Sequence, residues 1–324
     1  MTLSQLRAFA LVARLGSLTA AAAELGVSEP AVSAALASLR NDLGDPLFVR
    51  SGGGIAFTAG GRRLAAHADE IVGLADQARR EVAEASTTSP GSLRVAATAA
   101  FSEHAAAALL DAFTRRVPGS AVELLVRPGL HLLPCLVERS SDITLGARPE
   151  QVDDVALDVV PFLRYQRVLV AVPTHPLVRR GGDLSLAEAA GHPWLAGQAG
   201  IEEHSEEGRW LRAQGTWPDV VRLTSETDAL DRVREGDGPM LALGHVVRAD
   251  LRRGSLALLP VAGTPVTGLW WASTLRHEKV PSEARTLQRF VTTPDATAAM
   301  VAPPGGVRPG RSRGHRALRV ALWS

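Results

Sequence analysis

Apolar residues recur at helical spacing through the first part of the chain. Residues 2–14 place Leu3, Leu6 and Phe9 on one face, which predicts a first helix. From residue 59 to about residue 85 the apolar positions alternate at spacings of four and three, as in a heptad seam. A long helix that pairs with a second copy has this pattern, and so does a helix packed on its own domain. The seam consists of Leu64, Ala68, Ile71, Ala75, Ala78 and Val82.

Residues 17–40 combine helix caps and a turn former in the order of a helix-turn-helix. Ser17 and Ser28 stand where N-caps are preferred, and Pro30 falls in the first turn of the second helix, where its missing N–H costs little. Gly26 supplies the turn. In such a motif the second helix enters the DNA major groove, although a helix pair in another all-α domain has the same pattern. The positions predicted to be buried are Ala22, Leu25, Val27, Val32, Leu36 and Leu39.

A polar hinge at residues 85–92 marks the clearest domain boundary. After it, short apolar strands alternate with helices, which predicts a mainly parallel sheet with helices on both faces. Two strand-like runs within residues 155–172 mark a crossing into a second lobe, and residues 264–275 return to the first. Two lobes joined by crossing strands form a cleft, and ligands bind there beyond the carboxyl ends of the strands.

The loops that follow these strands hold the candidate ligand site. The loop after the first strand leads into a helix N-terminus, which favours a carboxylate. For any one hydroxyl in these loops a simple helix cap is the favoured explanation, and it is the set together that predicts a site. The candidate effector-binding residues are Thr98, Ala99, Ala100, Phe101, Arg127, Gly146, Arg148, Gln198, Thr224, Ser225 and Thr227.

Length and composition indicate a globular protein of several domains. The chain has 324 residues, more than a single core usually holds, so two or three domains are expected. No apolar run reaches membrane-spanning length, and residues 2–14 are amphipathic rather than a signal core, so we expect a cytoplasmic protein without membrane contact. The single cysteine, Cys135, cannot form an internal disulfide and suits a reducing compartment.

The net charge of +1 hides an uneven distribution. Residues 1–60 hold four arginines and four carboxylates, so any DNA binding there depends on a local surface rather than on bulk charge. The tail from residue 304 carries five arginines and no acid, and its composition predicts disorder. This tail either attracts DNA without sequence preference or is a non-functional extension.

Residues with catalytic or metal-binding chemistry do not form a recognisable motif. His131 and Cys135 stand four apart on a predicted helix, but a structural zinc needs four ligands and none cluster nearby. No Gly-x-Ser-x-Gly element accompanies the histidines. We therefore expect neither an enzyme nor a cofactor or metal. One acidic stretch is interpreted as a solvated helix entrance and contains Glu202, Glu203, Glu206 and Glu207.

The segment Asp45-Pro-Leu-Phe-Val-Arg50 and the glycines after it are typical of a wing that follows a helix-turn-helix. Together with the preceding helices, the segment resembles the LysR-type transcriptional regulators, and the resemblance extends over residues 1 to about 293. The matching residues are Leu6, Phe9, Gly16, Ser17, Ala21, Ala22, Leu25, Val27, Ser28, Pro30, Ser33, Leu36, Leu39, Leu43, Gly44, Leu47, Phe48, Arg50, Thr58 and Gly60.

The resemblance implies an α+β multidomain fold with a winged helix-turn-helix, a long linker helix and a two-lobed α/β periplasmic-binding-protein-like sensor. The expected boundaries are residues 1–58 for the DNA-binding domain, 59–89 for the linker and hinge, 90–295 for the effector-binding domain and 296–324 for the tail. Within the effector-binding domain, lobe 1 is expected at about 90–163 and 267–295, and lobe 2 at about 164–266.

The resemblance also implies partners and contact residues. The partners are double-stranded promoter DNA, a small and often anionic effector, a second copy in a homodimer or tetramer, and RNA polymerase. The implied DNA-binding residues are Ser28, Glu29, Pro30, Ser33, Ser38, Arg40, Arg50 and Ser51.

The DNA-binding region departs from the family pattern in charge. Glu29 replaces a usual glutamine, and alanines stand at several positions that are usually arginine or glutamine. Each lost phosphate contact weakens binding and flattens its salt dependence. Two other classes therefore stay open: a solute-binding module with a vestigial head, and an enzyme built on the α/β region.

Overall fold

The computed structural model describes residues 1–51, 54–85, 92–149, 155–276, 280–301 and 319–321. The chain divides into two compact units, one built mainly from residues 1–89 and one built mainly from residues 90–324.

The first unit is a helical head with a small hairpin. Its first three helices end at glycines in the left-handed conformation, and Thr2 and Ser17 cap the first two by accepting backbone N–H groups with their side chains. Ser28 is the N-cap of the third helix, but its side chain accepts no cap hydrogen bond. The elements are α1 (Leu3–Leu15), α2 (Leu18–Leu25), α3 (Glu29–Leu43), β1 (Phe48–Ser51), β2 (Gly54–Phe57) and α4 (Ala59–Ala85).

The core of the first unit confirms most of the predicted buried positions. Val32, Leu36 and Leu39 are buried on the inner face of α3, where they pack with Phe9 of α1. Val27 is 48% exposed, so its predicted burial is wrong; it lies in the turn between α2 and α3, beyond the helical face.

The hairpin is tied to α4 through one carboxylate. Asp45 accepts hydrogen bonds from the backbone N–H of Leu47 at 2.6 Å and the hydroxyl of Thr58 at 2.7 Å. These bonds hold the pKa of Asp45 below its usual value. At Gly61 a Cβ would overlap the carbonyl oxygen of Leu47, so the helix approaches the corner as closely as glycine allows. The predicted tip of the wing, Gly52 and Gly53, lies outside the described residues.

The predicted heptad seam of α4 faces two different environments in the structure. Ala68 is fully buried in the core of its own unit, so it is not available to a second copy and its assignment to a dimer seam is wrong. Leu64 is partly buried and packs against the same core. Further along, Ile71 and Val82 are exposed. The seam pattern therefore combines an intramolecular contact with an outward-facing apolar stripe.

The second unit contains the α/β part of the chain. Its strands are β3 (Ser92–Ala97), β4 (Ala121–Val126), β5 (Ile143–Gly146), β6 (Leu157–Ala171), β7 (Trp194–Ala196), β8 (Val220–Arg222), β9 (Met240–Leu243), β10 (Ala257–Leu258), β11 (Val266–Leu275) and β12 (Arg319–Ala321). Its helices are α5 (Ala99–Phe101), α6 (Ala107–Arg116), α7 (Leu132–Val137), α8 (Pro176–Arg180), α9 (Leu186–Ala190), α10 (Glu206–Ala213), α11 (Glu226–Glu235), α12 (Gly244–Arg253), α13 (Ser282–Phe290) and α14 (Pro294–Val301).

One mixed sheet runs through this unit in the order β10-β6-β11-β5-β3-β4-β12, with β9 also paired to β6. Strands β4, β3 and β5 are parallel, as predicted, whereas β11, β9 and β10 pair antiparallel. The prediction of a mainly parallel sheet therefore holds for one part only. Strand β6 is continuous over 15 residues, so the two predicted runs are a single strand.

Strands β6 and β11 pass through two clusters of elements, which we call lobe 1 and lobe 2. Lobe 1 comprises β3–β5, α5–α7, α13 and α14 around a core that includes Phe101 and Phe113. Lobe 2 comprises β7–β10 and α8–α12 around cores that include Trp194 and Val233. The crossing strands place the carboxyl ends of β3 and β7 near one another.

The predicted tail begins too early at residue 296. Ala296 and Met300 are buried on the core of lobe 1, so residues 296–301 complete helix α14 rather than a disordered tail. Residues 319–321 pair in parallel with β4 as strand β12. The rest of the predicted tail lies outside the described residues.

Candidate functional sites

Helix α3 presents an exposed polar face at its N-terminal end. Ser28, Glu29, Pro30 and Ser33 are exposed, while the apolar residues of the same helix face inward. Exposed side chains at the start of the second helix are the ones that reach base edges in a helix-turn-helix.

Several of the other predicted DNA-contacting residues are engaged within the head. Ser38 accepts a hydrogen bond from Gln5 Nε2 at 2.8 Å. The guanidinium of Arg40 lies over the ring of Phe48, 4.2 Å from its centroid. The side chains of Arg50 and Ser51 lie outside the described part of the chain.

An outward-facing apolar stripe of α4 begins after Ala68, on a different face from Val72 and Asp76, which contact the head. Ile71 is 41% exposed, Leu74 38% and Val82 69%, and Ala78 is exposed between them. We call these four residues the α4 stripe. Leu74 was not among the predicted seam residues, and the predicted Ala75 is half-buried instead.

A cavity lies between the two lobes of the second unit. It encloses about 880 Å³, its opening to solvent included. The wall comes from the loop after β3, the loop after β7, the first turns of α10 and α11, and strands β6, β9 and β11. This position, beyond the carboxyl ends of β3 and β7, is the one expected of a ligand site in an open α/β sheet.

The cavity brings together four of the predicted effector residues, namely Thr98, Ala99, Ala100 and Gln198. Phe101 is fully buried beneath it, in edge contact with the ring of Trp270, and its assignment to the effector site is therefore wrong. The remaining predicted residues are not part of the wall: Arg127, Gly146, Arg148, Thr224, Ser225 and Thr227. Of these, Ser225 caps α11 by accepting the backbone N–H of Asp228.

Arg167 is buried at the centre of the cavity wall. Its guanidinium donates to both carboxylate oxygens of Glu226, at 2.7 and 3.3 Å, and to the carbonyl oxygen of Leu241 at 3.1 Å. Its Nε lies 2.8 Å from Oε1 of Glu207. Each nitrogen of this guanidinium therefore lies close to an acceptor of the chain itself, although Nε and Glu207 form an ion pair without hydrogen-bond geometry.

Two glutamates connect the lobes through backbone N–H groups. The carboxylate of Glu103 in lobe 1 accepts the N–H of Thr227, in the first turn of α11 in lobe 2, at 3.1 Å. In the opposite direction, the carboxylate of Glu202 in lobe 2 accepts the N–H of Gly129 in lobe 1 at 3.2 Å. We call these two glutamates the cross-lobe glutamates.

Comparison with known proteins identifies the family. Residues 3–62 match the bacterial regulatory helix-turn-helix proteins of the lysR family, and residues 86–293 match the LysR substrate binding domain. This chain is a LysR-type transcriptional regulator. It is 38% identical to the HTH-type transcriptional regulator Rv0377 of Mycobacterium tuberculosis, with both chains covered completely. It is 30% identical to the HTH-type transcriptional regulator CfxR of Cupriavidus necator, over 96% of this chain and 97% of CfxR.

A solved structure shares the fold of the regulator. ArgP from Mycobacterium tuberculosis superposes with a TM-score of 0.56 at 19% identity, over 92% of this chain and 97% of ArgP. The fold is thus an N-terminal helix-turn-helix domain followed by a mixed α/β substrate-binding domain.

The environment of the regulator's cavity shifts several pKa values. Burial raises the pKa of both Glu103 and Glu202, and a neighbouring carboxylate acts in the same direction on each. Burial alone would raise the pKa of Glu226, but Arg167 and His104 lower it to about 2. Burial also raises the pKa of the Tyr165 hydroxyl, which donates to Glu206 at 3.0 Å.

The sequence pattern missed the charged residues of the regulator's cavity. Glu202, Glu206 and Glu207 line it, so interpreting them as a solvated helix entrance is wrong for these three; Glu203 alone is exposed. Their position directly after strand β7 was the available signal, since such loops converge on a ligand site.

The described residues contain no group of three His, Cys, Asp or Glu side chains that could hold a metal ion. In the same part of the regulator, no helix has both the length and the apolar character to cross a membrane.

Proposed function

We propose that this regulator binds promoter DNA through the N-terminal end of α3 and is controlled by a small-molecule effector in the cavity between the lobes. The main support for the proposal is the exposed polar face of α3, which lies in a head that matches the family over residues 3–62. The residues proposed to contact the bases are Ser28, Glu29, Pro30 and Ser33. Those proposed to lie nearer the phosphate backbone of the DNA are Ser38, Arg40, Arg50 and Ser51.

Electrostatic attraction contributes little to this DNA binding. Arg7 forms an ion pair with Asp76 at 2.6 Å, and Arg14 forms one with Glu24 at 3.0 Å. Arginines paired inside the head release few counterions from DNA, so we expect a shallow dependence of affinity on salt. Base contacts and simultaneous binding by two heads then supply most of the affinity.

The α4 stripe is proposed as the surface that pairs with a second copy, in a homodimer or in a tetramer built from dimers. A two-fold pair of heads binds half-sites separated by whole helical turns, in multiples of about 34 Å. In this arrangement residues 59–89 act as the linker between a DNA-binding domain at 1–58 and an effector-binding domain at 90–295.

The effector acts by binding two arrangements of the subunits with different affinity, since equal affinity would shift nothing. The change in arrangement alters the spacing of the heads and the bend of the DNA, and RNA polymerase at the promoter responds. A protein with this role works in the cytoplasm and needs no catalytic turnover of its ligand.

Mobility shifts on the gene's own upstream DNA, at several salt concentrations, test the proposal. We expect a sequence-specific complex that Ser33→Glu abolishes, because a carboxylate would then face the DNA backbone. Ser4→Glu makes the same change at an exposed position of α1 and leaves the complex intact. A solute-binding module would show no operator preference in any of these proteins, and unchanged preference in Ser33→Glu would remove α3 from the recognition role.

Sedimentation of Ile71→Glu tests the α4 stripe. A charge buried in an apolar helix pair is strongly unfavourable, so we expect dissociation to monomers. Ala66→Glu, exposed on another face of the same helix, leaves the assembly unchanged. An unchanged assembly in Ile71→Glu would assign subunit pairing to another surface.

A further inference from the structure

The effector cavity of the proposed function carries a large excess of negative charge. Among the described residues of its wall, five are glutamates and Arg167 is the only arginine or lysine, which gives a formal charge of −4. The glutamates are Glu103, Glu202, Glu206, Glu207 and Glu226. Even when the exposed Arg209, 3.2 Å from Glu206, is included, the excess is three negative charges.

The strong donors of the cavity are already occupied by these carboxylates. The guanidinium of Arg167 forms ion pairs with Glu207 and Glu226 and donates to the carbonyl oxygen of Leu241, although its contact with Glu207 lacks hydrogen-bond geometry. The Tyr165 hydroxyl donates to Glu206. Outside the wall, the backbone N–H groups of Gly129 and Thr227 bind the cross-lobe glutamates. An incoming anion would compete with a carboxylate of the chain at Arg167 and at Tyr165.

The acceptor positions that remain in the cavity therefore favour a ligand that carries hydrogen-bond donors and positive charge. A carboxylate has about four acceptor positions, and each of these glutamates uses only some of them on the chain. Taking several carboxylates out of water without enough positive charge is unfavourable, and a bound cation offsets that cost.

The remaining wall suits an organic ion rather than a hydrated one. Trp270 and Tyr165 are 3% and 8% exposed, with ring centroids 5.3 Å apart, and Leu195 and Met240 add apolar surface. Aromatic rings attract ammonium and guanidinium groups, and apolar walls favour the methylene groups between them. The glutamates come from separate elements around the space, so an elongated cation reaches more than one of them.

We propose that the effector is a small organic cation with one or two protonated amino or guanidinium groups, held by the carboxylates of this cavity. The proposal rests on the proposed function and specifies the ligand class of the same site. It also reverses the expectation from the sequence, in which the helix N-terminus after β3 binds the carboxylate of an anionic metabolite.

A charge series of equal length tests the ligand class on the full-length protein. The probes are 1,4-diaminobutane, 1,4-butanediol and succinate, with magnesium chloride as a separate probe for a metal ion. Thermal melting and calorimetric titration follow each probe up to about 10 mM, which detects even weak binding. We expect the diamine alone to raise the melting temperature and to give a saturable heat of binding.

Two variants connect the binding to the carboxylates. Glutamine keeps an acceptor oxygen for the partner donor and removes the charge, so Glu202→Gln and Glu206→Gln are each expected to weaken diamine binding about tenfold. The same variants raise the melting temperature of the ligand-free protein, because the repulsion among like charges falls. The matched control is Glu203→Gln in the same loop, whose side chain is 68% exposed and outside the wall; its diamine affinity stays within about twofold of wild type.

Three outcomes overturn the proposal: stabilisation by succinate without stabilisation by the diamine, equal stabilisation by magnesium, or no effect of any probe. Equal loss of diamine binding in the Glu203→Gln control would also overturn it, because the binding would then not be in the cavity. The mobility shift on the same preparation separates these results from a failure of the proposed function. A protein that binds its operator but not the diamine refutes the ligand class alone, whereas absent operator binding refutes the regulator's DNA-binding role.

Discussion

Arg167→Met removes the positive charge that holds two buried carboxylates in place. The guanidinium is bidentate to Glu226 and ion-paired with Glu207, and the three side chains are 10%, 13% and 9% exposed. Methionine fills much of the volume of the arginine stem, so the change is chiefly electrostatic. What remains is a pair of carboxylates in a poorly solvated wall that already holds three more.

The expected loss of stability follows from the burial of these groups. Breaking a buried ion pair from one side typically costs about 3–5 kcal/mol, because the partner is left charged and unpaired. Because Arg167 has two such partners, the expected loss of stability in Arg167→Met lies toward the upper end of that range. His104 lies 2.9 Å from Glu226 and moderates the loss. The triple variant with Glu207→Gln and Glu226→Gln removes the unpaired charges and is expected to recover more than half of the loss.

The loss of stability caused by Arg167→Met is expected to become smaller as the pH falls. In the wild type the pKa of Glu226 lies at about 2, below its ordinary value of 4.5, so the stability from this pair is present above pH 4.5 and is lost as the pH falls toward 2. Without Arg167, burial raises the pKa of Glu226 and the carboxylate takes up a proton more readily. The penalty therefore shrinks between pH 8 and pH 5.

Urea unfolding followed by tryptophan fluorescence measures this loss selectively. All six tryptophans lie at position 194 or later, so the signal reports the second unit and not the DNA-binding head. Arg164→Met, at an exposed position of the same strand, is the control and is expected to change stability by less than about 0.5 kcal/mol. A loss below about 1 kcal/mol in Arg167→Met, an equal loss at pH 5 and pH 8, or no recovery in the triple variant would refute the reasoning.

Two further predictions concern the head and a histidine in contact with Trp270. Gly61→Ala is expected to lower the stability of the protein by at least about 2 kcal/mol and to abolish operator binding, because the new Cβ would overlap the carbonyl oxygen of Leu47. Melting followed by circular dichroism and mobility shifts measure the two effects. Ala66→Ser, on the same helix, is the control and changes neither. Burial, with His104, Arg248 and Arg167 nearby, lowers the pKa of His245 to about 4, so the unfolded chain binds a proton between pH 6.5 and 4 that the folded protein does not. The wild type therefore loses stability as the pH falls through this window, by about 1–2 kcal/mol relative to His245→Asn. If the free energy of unfolding of the two proteins changed with pH in parallel, the prediction would be contradicted.

Local signals made the helical head predictable from the sequence. Caps, glycine stops and helical spacing act within a few residues, so α1, α2, α3 and the length of α4 followed from them. The partners of α4 did not follow, because a heptad seam has the same spacing whether it faces its own domain or a second copy. Leu64 and Ala68 proved to face their own domain.

The position of the cavity was predictable, but its chemistry was not. The rule that ligands lie beyond the carboxyl ends of strands placed Thr98 and Gln198 correctly in the wall. The composition of a glutamate cluster does not show whether it faces solvent or an enclosed space, and only its position after a strand indicated the cavity. The continuous strand β6 was missed for a related reason: Tyr165 and Arg167 face inward at alternate positions, with Gln166 outward, so polar residues interrupted the apolar run without interrupting the strand.

The long strand β6 also makes the two lobes interdependent. It pairs with β11 along almost the whole of both strands, and its final residues carry β9 and β10 of lobe 2. Neither lobe possesses a complete sheet without these two strands, so the halves unfold as one cooperative unit even though each has its own core. A substitution that loosens either core is consequently transmitted to the cavity walls of both.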